Sequence, residues 1–198
     1  MACRRRPRTG FSLIELLIVI ALMGILAGVV LPNGNPTIYE QLHSAARILA
    51  TDLAYARSLA VTHGSTYRVT FDAQENRYVL RHSGTVSALD RLPASPFRDP
   101  TDPPDAHLVD LDDLPHLGAP VQLAGIGAAT GTPQQTGEVE FGPLGETTQS
   151  AATLIWLSAG EGKATRYIAV SVNPVTGLAT VGSFSGYGPG TLVAAPGG

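Results

Sequence analysis

With 198 residues, 44% hydrophobic and 15% charged, the chain has room for one globular domain and an appendage, and its 22 glycines and 15 prolines favour a loop-rich β domain over a helical bundle. The formal charge of −3 is uneven: the first ten residues carry Arg4, Arg5, Arg6 and Arg8 and no acid, so the remainder stands at −7 and is a poor nonspecific nucleic-acid binder. The single cysteine, Cys3, allows no intrachain disulfide, and it precedes the apolar segment that a lipoprotein cysteine would follow.

Residues 11–31 read FSLIELLIVIALMGILAGVVL, with only Ser12 and Glu15 polar. As a helix this run would extend about 31 Å, the thickness of a bilayer core. The arginines before it set an orientation, with residues 1–10 in the cytoplasm and everything after Leu31 outside. A secretory signal peptide would be shorter, although Ala27 and Gly28 could imitate its cleavage site. A plain single-span anchor leaves Glu15 unexplained, because an acid inside a membrane costs about 2.5–3.5 kcal/mol and calls for a partner.

The run Gly10-Phe11-Ser12-Leu13-Ile14-Glu15 resembles the processing site of type IV prepilins and type II secretion pseudopilins. The resemblance implies that a prepilin peptidase and N-methyltransferase cuts after Gly10 and methylates the new amino terminus at Phe11, and that the apolar helix is retained. Glu15 stands at the family's glutamate and Pro32 at its helix-kinking proline. Physically, the carboxylate of Glu15 can pair with the α-amino cation of Phe11 on an adjoining subunit, and a misregistered neighbour would leave one charge unpaired. Gly24 and Gly28 form a G-x-x-x-G step that lets apolar helices approach closely.

Pro32-Asn33-Gly34-Asn35-Pro36 interrupts the helix. Thr37 with Glu40 then forms a capping-box pattern. Residues 38–62 repeat apolar side chains at Leu42, Ala45, Ala46, Leu49, Leu53, Ala56 and Ala60, which predicts an amphipathic helix ending at Gly64, with His43, Arg47, Asp52 and Arg57 off the stripe. Residues 66–71 and 77–81 alternate around a turn and predict a hairpin. Residues 138–141, 152–157, 166–172 and 178–184 predict a four-stranded meander. Between these portions, 83–120 is rich in proline and acid and predicts an irregular insertion; 185–198 predicts a loose tail. The predicted fold is α+β: a long N-terminal helix, kinked into a membrane-spanning half (11–31) and an amphipathic half (32–64), packed on an antiparallel sheet in a domain of 65–184. The layout resembles the minor pseudopilin H and FimT-like family, through Phe141, Pro143-Leu144-Gly145 and Pro174-Val175-Thr176-Gly177.

Other chemistry is thin. Six aspartates between 99 and 113 could hold Ca²⁺, with Asp110, Asp112 and Asp113 the weak candidates, but they lack an EF-hand pattern and read equally as a solvated acidic loop. The histidines (His43, His63, His82, His107, His116) have no metal-binding spacing. Gly125-Ile126-Gly127 begins like a dinucleotide fingerprint, but Thr130 occupies the third glycine position. Trp156 reads as core. No enzyme is expected. The resemblance implies a minor pseudopilin of a type II secretion pseudopilus, partnered by other pseudopilins and the processing peptidase. It would be single-pass in the inner membrane with a periplasmic domain. The alternatives are a minor type IV pilin serving adhesion, motility or DNA uptake, for which only Lys163 and Arg166 offer a C-terminal basic strip, and a membrane-tethered binding protein or enzyme.

Overall fold

The structure, a computed structural model, describes residues 12–30, 37–93, 103–114, 121–129 and 132–189, with only the backbone of 25–30. The predicted leader, the cleavage residues Gly10 and Phe11, and the kink with Pro32 lie outside the described residues. The chain divides into two units, residues 1–35 and 36–198.

The first unit contains α1 (Leu13–Val30), 18 residues without proline or a basic side chain, about 27 Å long at the standard rise. The Ser12 carbonyl accepts hydrogen bonds from the amides of Glu15 and Leu16 and so starts the helix. Leu13, Ile14, Leu16, Leu17, Ile18, Ile20, Leu22 and Met23 are all more than half exposed, and they cover every side of the helix. Among the described residues no helix is long and apolar enough to cross a membrane; the predicted span of 11–31 runs past the described side chains of α1 at both ends.

In the second unit, α2 (Ile38–His63) follows its predicted bounds within a residue. Thr37 caps it: its Oγ1 accepts from the Glu40 amide at 3.4 Å, and its own amide donates to Glu40 Oε2 at 2.8 Å. At the other end Gly64 turns left-handed (φ 58°), and Ser65 N–H reaches back to the Ala60 carbonyl at 3.1 Å, a Schellman closure that only glycine adopts without strain. Leu42, Ala45, Ala46, Leu49, Leu53, Ala56, Leu59 and Ala60 are buried on one face. The alanines let the helix lie close to what it covers.

That face meets two four-stranded antiparallel sheets. The first runs in the order β3 (Ala106–Asp110), β2 (Arg77–His82), β1 (Tyr67–Asp72), β5 (Thr136–Phe141); the second runs β4 (Gln122–Ala128), β6 (Thr153–Ala159), β7 (Arg166–Val172), β8 (Ala179–Ser185). Tyr67, Val69, Phe71, Tyr78, Leu80, Val139 and Phe141 from the first sheet and Ile155, Leu157, Ile168, Val170 and Val172 from the second complete one core. Burial of that apolar area is the main stabilising term.

Two predictions need correction, and one strand carries no pattern that predicts it. The meander has β6, β7 and β8, but not β5, which pairs with β1 from Tyr67↔Phe141 to Asp72↔Thr136. Its inward Val139 and Phe141 fit the first sheet's core, and its outward Glu138 and Glu140 meet Arg68 at 3.3 and 3.2 Å. The insertion is not wholly irregular: β3 pairs along β2, and a short 3-10 turn spans Ser87–Leu89. A strand also went unrecognised, β4, whose Gly125 and Gly127 lower its strand propensity. Both glycines lie under 132–134, where a Cβ would press on Gln134 O at 3.2 Å or Thr132 O at 3.1 Å. Close backbone approach requires glycine there.

Trp156 is buried, as expected, but on the face opposite Ile155 and Leu157. Its cross-strand neighbours Gly125 and Ala169 are small and leave room for the indole.

Candidate functional site

Glu15 lies in the first turn of α1, where the positive end of the helix dipole favours an acid. It is exposed, and so is the apolar surface around it. Gly24 and Gly28 both fall within α1, and a Cβ on Gly24 would meet nothing within 4 Å. Glu15, Gly24 and Gly28 therefore share one helix, whose described side chains are all exposed.

The second unit carries three side-chain constellations that the sequence did not reveal. In the first, Arg57, placed off the apolar stripe, reaches from α2 to two turns: its Nε donates to the Thr176 carbonyl at 2.7 Å and to the Gly145 carbonyl at 3.3 Å. The turns also hold each other. Thr147 N–H donates to the Pro174 carbonyl at 2.8 Å, and Gly177 (φ 62°) sits so close to Gly145 that a Cβ would strike its carbonyl oxygen. The Pro143-Leu144-Gly145 and Pro174-Val175-Thr176-Gly177 motifs are thus two halves of one clamp. Leu144 and Val175 stand at its tip, 86% and 78% exposed.

In the second, Asp52 of α2 accepts a hydrogen bond from Tyr78 Oη at 2.5 Å, and its other oxygen lies 4.0 Å from His107 Nε2. Burial pushes the Asp52 carboxyl above its ordinary range, against the lowering effect of the Tyr78 hydrogen bond and the His107 imidazole. Burial, the Asp52 charge and the same hydrogen bond hold the Tyr78 phenol well above its ordinary value, so it remains a donor. This trio fastens β3 and β2 to the helix.

In the third, Ser65 Oγ lies 2.8 Å from His82 Nε2, and His82 Nδ1 lies 2.7 Å from Asp90 Oδ1. That is the bonding order of a hydrolytic triad. Gly84, however, lies over the Ser65–His82 bond, and a Cβ there would collide with both partners. The hydroxyl is buried under backbone, and the array ties the end of α2 to β2 and the Ser87–Leu89 turn.

Of the calcium candidates, Asp110 Oδ1 accepts from the Asp112 amide at 2.8 Å, and Asp112 Oδ1 accepts from Asn76 Nδ2 at 2.7 Å. Asn76 (φ 47°) also bonds the Val121 carbonyl and the Leu123 amide, joining the ends of the two sheets. Two of the three carboxylates thus already serve the fold. Among the described residues no three acids, imidazoles or thiols converge as a metal cage would need. Arg166, half of the conceivable basic strip, is engaged by the Tyr39 hydroxyl and by the carbonyls of Lys163 and Thr165.

Residues 5–31 match the prokaryotic N-terminal methylation motif. A type II secretion system protein H of Xanthomonas campestris pv. campestris is 38% identical over 77 residues, 37% of this chain and 44% of that relative, so the match spans less than half of the relative's length. Two crystal forms of the type IV minor pilin FimU of Pseudomonas aeruginosa superpose at TM-scores of 0.42 and 0.43 with 16% identity, over 72% of this chain and 93% and 88% of theirs. Residues 45–177, two thirds of the chain, match the family of type II transport protein GspH, and they take in all of the Arg57 clamp. The chain belongs to the GspH family.

Proposed function

We propose that this chain is a minor pseudopilin, a structural subunit that joins a type II secretion pseudopilus and assists protein export across the outer membrane. One observation carries the reading: the described side chains of α1 are exposed and apolar on every side of the helix, while the second unit encloses a core of its own. A helix of that kind belongs in a bilayer or among similar helices, and the methylation motif overlaps it. In this reading α1 anchors the precursor in the inner membrane, the processing peptidase acts at Gly10 and Phe11, and the retained helix then moves from lipid into a fibre of related subunits. Glu15 sets the register by pairing with a neighbour's terminal amine, Gly24 and Gly28 allow close helix approach, and Pro32 bends the chain. The work of the second unit is structural rather than catalytic. Mass spectrometry of the protein purified from membranes tests the proposal. The mature chain is expected to begin at Phe11 and carry one added methyl group on its amine; a chain that begins near Gly28 or retains Arg4 to Arg8 sinks it.

A further inference from the structure

At one end of the second unit three separate stretches converge: the first turn of α2, the start of β7, and the end of β8. The Tyr39 ring stands edge-on to Phe184 with centroids 5.1 Å apart, and His43, one turn along the same face of α2, lies tilted to Phe184 at 6.2 Å. Arg166, the first residue of β7, donates from Nε to Tyr39 Oη at 3.3 Å, which joins the start of that strand to the pair. Tyr187 follows two residues after Ser185, the partner of Tyr167 in the ladder. Tyr39, Phe184 and Tyr187 are 48%, 40% and 67% exposed. Among the described residues of this unit the exposed large aromatics are Tyr39 and Phe184, which touch, and Tyr187, three residues on from Phe184; the other exposed large apolar side chains, Val61, Val86, Leu144, Val175 and Leu178, are all aliphatic and lie in other segments.

Tyrosine rings such as those of Tyr39 and Tyr187 partition into the headgroup layer of a bilayer, where an apolar body and a wet tip are both satisfied, and Phe184 adds apolar area beside Tyr39. The charges at this end balance, Lys163 and Arg166 against Glu40 and Glu161. That suits a zwitterionic surface rather than a polyanion. This end carries the first turn of α2, the helix that follows α1 in the sequence.

We infer that this aromatic end rests on the headgroup layer of the bilayer that holds α1, seating the subunit before it enters a fibre. The inference rests on the reading of α1 as a membrane helix. It is tested on the full chain in phosphatidylcholine vesicles, with bromine placed on the lipids as a fluorescence quencher. In a Trp156→Phe background three single-tryptophan variants are compared: Leu17→Trp in α1, Phe184→Trp at the aromatic end, and Val175→Trp at the far turn of the same hairpin. Leu17→Trp is expected to be quenched by bromine deep in the acyl chains. Phe184→Trp should be quenched by bromine near the headgroup at least about twofold more than Val175→Trp, with no loss in high salt, as an uncharged interfacial contact requires. Equal quenching of Phe184→Trp and Val175→Trp, with Leu17→Trp quenched, overturns the inference and leaves the membrane helix standing. Quenching of Phe184→Trp that salt abolishes overturns it too. An unquenched Leu17→Trp overturns both. If Trp156→Phe does not fold, nitroxides on Tyr187→Cys and Val175→Cys in a Cys3→Ser chain give the same comparison: less collision with a water-soluble nickel relaxant at the first position supports the seat, and equal collision overturns it.

Discussion

The two helices of this chain obey opposite rules. α2 is capped at both ends, carries charge on one face, and buries Leu42, Leu49 and Leu53 completely. α1 has one acid in its first turn, no basic residue in its last, and no buried side chain among those described. A helix stabilised by its own chain declares its partner through a stripe, because only the side facing the core needs to be apolar. A helix that is apolar all round declares a partner outside the chain. The comparison therefore separates residues that should govern folding from residues that should govern assembly.

Assembly should show the largest effect. Glu15→Val is expected to keep processing and the fold of the second unit intact while fibre incorporation falls to a small fraction of normal, measured by co-purification with sheared fibres; normal incorporation would remove the register role. Next comes the matched pair of leucines. Leu53→Ala opens a cavity in the core and should lower unfolding free energy by about 2–5 kcal/mol in urea melts. Leu17→Ala should leave that value unchanged; a comparable loss would mean that α1 packs on its own chain. Gly177→Ala should cost about 2 kcal/mol, since a left-handed backbone and the nearby Gly145 carbonyl both oppose a side chain. A melt unchanged by that substitution would mean the two turns are not locked together.

Asp52 gives the smallest effect, and its sign is fixed. The folded protein holds this carboxyl above its ordinary range, so the group's contribution to stability is full below the ordinary aspartate value and is lost as pH rises through the folded one. Asp52→Asn keeps an acceptor for Tyr78 without a charge to desolvate. Relative to the parent it should gain stability as pH rises from about 3 to 7. Parallel stability curves would place the Asp52 charge in solvent after all.

Much of this was legible. The capping box at Thr37, the three–four spacing of α2 and the stop at Gly64 each have a local cause, and so does the hairpin turn around Asn76. The N-terminal methylation motif could be read because its signature is a contiguous run of residues. What escaped depends on tertiary neighbours. β4 is held by pairing with β6 and by the backbone above its glycines, and nothing in Gln122–Ala128 signals that support. β5 belongs to β1, a partner 64 or more residues earlier, although its alternation looked like the start of a meander. Asp52 and His107 lie 55 positions apart, and only the pairing of β3 with β2 brings them together. The two proline turns were visible as motifs, but their shared arginine was not.

That arginine also bears on the order of events when the chain is made. The Arg57 contacts join residues 88 and 119 positions apart, and closing such long segments is slow because chain entropy is lost before any contact rewards it. Synthesis delivers α2 before any strand that covers it, with its leucine and alanine face open, and the last turn only after residue 177 has emerged. For that interval a greasy helix has no home within its own polypeptide, which exposes it to holdases and proteases.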